Sequence, residues 1–199
     1  EALADFGLLP GLKTVLLIGG SLGARTLNES VLANLTAISA SGVQFIWQTG
    51  GYYFAHIQEQ LKLKGQPDNL FVTDFIAAYA AADLVISRAG ASSISELCLL
   101  GKPAILVPSP NVAEDHQTKN ALALVDKQAA LYVKDAEAVN KLVGLALNVI
   151  RDADKLSALS RNIKAMAFTD SADRIAEEVC KLAVAYRDNR DLSERGGKL

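Results

Sequence analysis

The chain of 199 residues has few of the side chains that support redox, metal or disulfide chemistry. It contains two cysteines, two histidines, one tryptophan and one methionine. Cys98 and Cys180 sit inside apolar helical patterns, without CxxC spacing or a nearby histidine. That excludes a disulfide scaffold and predicts reduced core thiols in a cytosolic protein. With His56 and His116 far apart and no cysteine cluster, no zinc site is expected. Charge of one sign is lacking as well: 20 Lys and Arg stand against 22 Asp and Glu, a net charge of -2. This balance argues against a surface built around a nucleic-acid backbone, so no nucleic-acid partner is expected. No apolar run approaches the ~18 residues that a membrane-spanning helix needs, and the first residues lack the basic-then-apolar order of a signal peptide. There is no internal repeat and no long linker rich in proline and serine.

What is present is apolar and ordered. Half of the residues are hydrophobic and 21% are charged, so a sizeable core is expected and wholesale disorder is not. At 21.1 kDa there is room for one ordinary domain, or one half of a two-lobed protein.

Short apolar runs alternate with helical periods. Thr14 to Gly19, Val43 to Gln48, Leu70 to Val72, Leu84 to Ile86 and Ala104 to Val107 read as buried strands, and Leu131 to Val133 as a short last one. Leu27, Val31, Leu32, Leu35 and Ile38 recur at helical spacing, as do Phe54, Ile57 and Leu61. Further helices are expected near 77–82, 92–100 and 116–126, and the chain reads as helical from Ala136 onward. Continuous apolar strands between helices require a parallel sheet covered on both faces. The expectation is a doubly wound, Rossmann-like α/β domain over 1–168, a C-terminal helix over 169–186 and a frayed polar tail over 187–199. Right-handed crossovers would gather the strand-to-helix loops along the carboxyl edge of the sheet, where such folds bind ligands.

Three of those loops carry groups suited to chemistry. In Gly19-Gly20-Ser21-Leu22-Gly23-Ala24-Arg25, glycines let the backbone approach a ligand and the following helix start attracts phosphate. The spacing is neither a P-loop nor GxGxxG, and a tight turn without a ligand fits it equally. In Ser87-Arg88-Ala89-Gly90-Ala91-Ser92-Ser93-Ile94-Ser95-Glu96, small residues leave a helix start open to an anion, and Glu96 lies within reach of a diol. Ser93-x-x-Glu96 also fits a capping box, in which Glu96 only bonds back to the Ser93 backbone. The third loop, Pro108 to Asn120, sets His116, Gln117 and Asn120 together at a helix start, with donors and acceptors suited to sugar hydroxyls. His116 could equally be a general base or an exposed cap, and His56 reads as a surface residue.

Together, GGSLGAR, SRAGASSISELCLLGKPAILVPSP and AEDHQTKNALAL resemble the C-terminal half of the MurG family, in the family's order and at nearly its spacing. The resemblance spans about residues 1–186. It implies the donor-binding lobe of a two-lobed GT-B glycosyltransferase, which moves N-acetylglucosamine from UDP-N-acetylglucosamine to the 4-hydroxyl of the muramyl-pentapeptide pyrophosphoryl-undecaprenol lipid in peptidoglycan synthesis, with inversion and no cofactor or metal. Carried over by position, Gly20 and Ser21 would meet the diphosphate and the Ile76 backbone the uracil edge. Ala91, Ser92 and Ser93 would line the nucleotide sugar, Glu96 would hold the ribose diol, and His116 and Gln117 would contact the hexose. The implied location is peripheral, on the cytoplasmic side of the bacterial inner membrane.

Two features depart from the family pattern. The family's N-terminal lobe, which holds the lipid acceptor and the expected catalytic base, does not appear in these residues. The donor half alone is therefore expected, inactive unaided. The stretch from Ile76 to Tyr79 is also about four residues shorter than its family counterpart, which bears on the uracil contact. Two other readings stay open: another UDP-sugar enzyme of the same build, including a 2-epimerase using Glu114 and Asp115, or a non-catalytic nucleotide-binding module. The first loop lacks the glycine spacing of a dinucleotide oxidoreductase.

Overall fold

A computed structural model of the chain describes residues 6–75 and 78–196. The chain divides into two compact units, Glu1–Ala167 and Phe168–Leu199. The first holds a six-stranded parallel sheet built from β1 (Thr14–Ile18), β2 (Gln44–Gln48), β3 (Leu70–Thr73), β4 (Leu84–Ser87), β5 (Ala104–Leu106) and β6 (Leu131–Tyr132). Their order across the sheet is β3-β2-β1-β4-β5-β6. Successive strands step outward in one direction from β1 and then in the other from β4, so the crevice between the carboxyl ends of β1 and β4 is the topological switch point.

Alternation along each strand sends neighbouring side chains to opposite faces. Val15, Leu17, Phe45 and Trp47 pack on one face against Leu27 and Val31 of α1 (Arg25–Ala33) and Leu142 and Val143 of α6 (Asp135–Val149). Leu16, Ile46 and Val85 face the other way, toward Leu97 and Cys98 of α4 (Ala91–Leu100) and Ala121 and Leu124 of α5 (His116–Val125). Two apolar layers on one sheet explain why the strands read as unbroken hydrophobic runs. The remaining helices are α2 (Leu35–Ser39), α3 (Gly51–Lys64) and α7 (Ala153–Lys164) in the first unit, and α8 (Ser171–Gly196) in the second.

Several expectations change in the structure. The helical period over 27–38 belongs to two helices, broken at Asn34. Its side-chain amide donates to the Ser30 carbonyl at 2.8 Å and the Val139 carbonyl at 3.2 Å, a local competition that interrupts the helical ladder. In place of a helix near 77–82 there is a single 3-10 turn, Tyr79–Ala81. Helix α8 continues past 186 to Gly196, since no glycine or proline interrupts the sequence before that point. Cys98 is buried, but Cys180, on the helix of the second unit, is exposed and not a core thiol.

Candidate functional site at the carboxyl rim of the sheet

The loop after β1 is shaped by its glycines. Gly20 and Gly23 both have φ of 85°, and the Gly23 N–H donates to the Gly20 carbonyl at 2.9 Å, closing a tight turn around Ser21 and Leu22. A Cβ on Gly23 would lie 2.1 Å from the Thr49 carbonyl oxygen, so the loop rests directly on the backbone that follows β2. The Gly51 N–H also donates to the Ser21 carbonyl at 3.1 Å. Beneath this contact, fully buried Trp47 donates its indole N–H to Asn28 Oδ1 at 2.9 Å, and Asn28 donates its amide to the Thr49 carbonyl at 2.9 Å. The Ser21 side chain is left exposed at the rim.

Helix α4 begins with Gly90 as its N-cap, and no side chain caps it. That removes the capping-box reading. Ser93 is the third helical residue rather than the cap, and Glu96 lies a further turn along, too far to close on the cap N–H. The first N–H groups of α4, at Ala91, Ser92 and Ser93, therefore remain available to a ligand, with the positive end of the helix dipole behind them. Helix α1 likewise starts at Ala24 without a side-chain cap. Glu96 is exposed and accepts a hydrogen bond from the Tyr79 hydroxyl at 2.9 Å. Burial, followed by the bond to Glu96 and its charge, holds the Tyr79 phenol well above its ordinary pKa, so the hydroxyl stays a donor.

The loop between β5 and α5 is drawn to the same rim by two amides. Gln117 Oε1 accepts from the Ser109 N–H at 2.9 Å and the Ala89 N–H at 3.2 Å. Asn120 donates to the Ala89 carbonyl at 3.2 Å. With its oxygen so occupied, Gln117 presents its amide nitrogen as the end suited to a ligand hydroxyl. Just before α5, Glu114 and Asp115 have φ of 54° and 51°, a left-handed backbone that non-glycine residues adopt at a cost. His116, exposed, opens α5.

Sequence reasoning gave no role to an ion pair that joins these loops. Arg88 Nη1 donates to Asp135 Oδ1 at 2.5 Å, to the Val107 carbonyl at 3.0 Å and to the Pro108 carbonyl at 3.1 Å. Asp135 Oδ2 accepts from the Thr26 hydroxyl at 2.9 Å. One partly buried pair thus links the loop after β4, the end of β5, the first turn of α1 and the start of α6. Its members are 47 residues apart, and the only hint in the sequence is a basic residue directly after an apolar strand.

Gly20, Arg88, Ser93, Ser109, Gln117 and Asp135 are among the residues that line a cavity of about 750 Å³ at the switch point. Of the residues singled out from sequence, Gly20, Ser93 and Gln117 line this cavity. Glu96 lies on the flank of α4 that meets Tyr79, and neither it nor Ser21 in the loop after β1, Ala91 and Ser92 in the first turn of α4, or His116 at the start of α5 is among the residues that line the cavity. Ile76 lies outside the described residues. Among the described residues no cluster of three or more His, Cys, Asp or Glu could hold a metal ion, and no helix is long and apolar enough to cross a membrane.

Comparison with known proteins identifies the family of this fold. A transferase of Bacteroides fragilis, named UDP-N-acetylglucosamine--N-acetylmuramyl-(pentapeptide) pyrophosphoryl-undecaprenol N-acetylglucosamine transferase, is 64% identical over 188 residues, covering 92% of this chain and 50% of its own length. The protein of the same name from Bacteroides thetaiotaomicron is 61% identical over 189 residues, 92% of this chain and 51% of its own. The crystal structure of Acinetobacter baumannii MurG superposes with a TM-score of 0.72 at 28% identity, over 90% of this chain and 53% of that one. The chain spans about half the length of the curated relatives it matches. Its sheet and flanking helices have the architecture of a GT-B C-terminal lobe. Residues 14–175 match the model of the glycosyltransferase family 28 C-terminal domain, and the chain belongs to that family.

Proposed function

We propose that this chain is the donor-binding half of an inverting glycosyltransferase that moves N-acetylglucosamine from UDP-N-acetylglucosamine to the 4-hydroxyl of the muramyl-pentapeptide pyrophosphoryl-undecaprenol lipid. The observation that carries the reading is the uncapped start of α4 at the switch-point cavity. The family match takes in all three rim loops, and the activity named for the Bacteroides relatives supplies the substrates.

In this reading the diphosphate lies across the turn at Gly20 and Ser21 and the N–H groups of Ala91, Ser92 and Ser93. Fixed backbone dipoles stabilise the leaving group there as the anomeric bond breaks, without a metal or a cofactor. Glu96 accepts from the vicinal ribose hydroxyls, which sets the register of the nucleotide. The Ile76 backbone reads the uracil edge. The Gln117 amide and His116 contact hexose hydroxyls. Attack by the acceptor hydroxyl on the opposite face inverts the anomeric centre, and catalysis is chiefly positioning with leaving-group stabilisation. The catalytic base and the lipid site belong to the half of the relatives that this chain does not span. The work would be done at the cytoplasmic face of the bacterial membrane, with no part for nucleic acid.

Calorimetric titration with UDP-N-acetylglucosamine tests the reading. Glu96→Ala should weaken binding by ~10- to 100-fold, the loss of a charge-assisted hydrogen bond. UDP-glucose should bind more weakly than UDP-N-acetylglucosamine, and Gln117→Ala should remove most of that difference. Failure of UDP to bind at millimolar concentration, or full affinity in Glu96→Ala, would overturn it.

A further inference from the structure

We propose that Tyr79 is a positioning residue for Glu96, and that its hydroxyl sets the discrimination between ribose and 2′-deoxyribose at this site. The inference rests on the ribose role given to Glu96 above. Tyr79 sits in the 3-10 turn between β3 and β4 and packs against the second apolar layer of the sheet, while its hydroxyl reaches Glu96 Oε2 at 2.9 Å. Glu96 is an exposed side chain on the second turn of a helix, with three rotatable bonds and no basic residue in ion-pair contact with it among the described residues. Left alone, such a carboxylate samples several rotamers, and a ligand must fix it at an entropic cost.

The phenol lowers that cost beforehand. Its ring is held by packing, so its hydroxyl is a fixed donor, and burial keeps the proton on it. An ionised carboxylate offers about four acceptor directions. One bond from Tyr79 therefore orients the group and leaves Oε1, with a second lone pair on Oε2, for two vicinal hydroxyls. A site organised to receive two hydroxyls discriminates against a ligand that supplies one, and the discrimination depends on the acceptor being held still. Sequence reasoning assigned the segment before Tyr79 to the base and Glu96 to the sugar. The hydrogen bond ties the two segments together.

The test is titration of wild type, Tyr79→Phe, Glu96→Gln and the double variant with UDP and with 2′-deoxy-UDP, alongside thermal unfolding of each. Tyr79→Phe keeps the packed ring and removes only the hydroxyl. It should weaken UDP by ~3- to 10-fold, the cost of immobilising one long side chain, and deoxy-UDP by less, so that the ratio of the two affinities falls. In the Glu96→Gln background the same change should leave the ratio where it stands. A general loosening of the fold would lower the melting temperature and weaken both ligands alike, keeping the ratio, and that result overturns the proposal. So does an unchanged ratio in Tyr79→Phe when Glu96→Gln itself reduces it. A wild-type protein that ignores UDP refutes the ribose role of Glu96 instead.

Discussion

Asn28 offers a direct test of how the rim is built. Its side chain is 2% exposed and lies between two groups that are fully buried, the Trp47 indole N–H and the Thr49 carbonyl, each at 2.9 Å. Asn28→Ala removes an acceptor from the first and a donor from the second, and neither is open to water. Each buried polar group left without a partner costs about 1–3 kcal/mol. With the small cavity added, the expected loss is about 3–5 kcal/mol, against ~0.5 kcal/mol or less for a typical surface substitution. Trp47 is the sole tryptophan, so its fluorescence follows the transition in urea, with far-ultraviolet circular dichroism for variants that lack it. Asn28→Ala and Trp47→Phe share one hydrogen bond, so their combined cost should fall short of the sum of the single costs.

Asn28→Asp sharpens the test through pH. The shape is kept, but an ionised carboxylate would face the Thr49 carbonyl with no proton to give. Burial raises the folded-state pKa of such an acid above its unfolded value. The folded state then binds more protons, so stability is restored below the unfolded pKa and lost as pH rises through the folded one. Asn28→Asp should therefore be less stable than Asn28→Ala at neutral pH and recover toward wild type in acid. A loss under 1 kcal/mol for Asn28→Ala, strict additivity with Trp47→Phe, or an Asn28→Asp variant indifferent to pH would each refute the reasoning.

Two further outcomes follow from the same rim. Gly23→Ala combines a backbone with φ of 85° and a Cβ placed 2.1 Å from the Thr49 carbonyl oxygen, so it should reduce the soluble folded yield and abolish nucleotide binding in any protein that remains, as read by titration with UDP. Arg88→Gln leaves the largely covered Asp135 with the Thr26 hydroxyl as its remaining side-chain partner among the described residues, and should cost about 2–4 kcal/mol in urea unfolding, with Arg88→Gln/Asp135→Asn recovering part of it; a double variant no more stable than the single would remove the ion pair from the account.

The legible part of the fold was the part fixed by local pattern. Strands buried on both faces must be apolar throughout, and helices between them must be amphipathic, so Thr14–Ile18 or Leu84–Ser87 can be read without knowing their neighbours. Asn34 escaped because its effect depends on Val139, a carbonyl 105 residues away. The capping box at Ser93 and Glu96 was a sound local pattern that failed for a geometric reason: the helix starts one turn earlier than that pattern requires, at Gly90. Of the site, the three loops were visible because glycines and helix starts are sequence-local features. Tyr79 and Arg88 were not, since each acquires its meaning from a partner brought near by the sheet order.

The use of Arg88 also bears on how the proposed donor would be held. A basic residue beside a cavity suggests a counter-charge for a diphosphate, yet Arg88 is already neutralised by Asp135 and bonded to two carbonyls. Arg25, at the start of α1, is three-quarters exposed and lies 3.6 Å from Glu29. With Arg88 held by Asp135, the aligned peptides of α1 and α4, whose first N–H groups carry no side-chain cap, would supply fixed positive dipoles at the switch point beside the exposed Arg25. Such dipoles are fixed in place by the helices and need no reorganisation as negative charge grows on the departing diphosphate, which is the condition for stabilising a transition state more than a ground state. In the proposed reaction the ion pair would act indirectly. It ties Thr26 in the first turn of α1, Val107, Pro108 and the start of α6 to the loop that leads into α4, so its loss should loosen the placement of both helix starts.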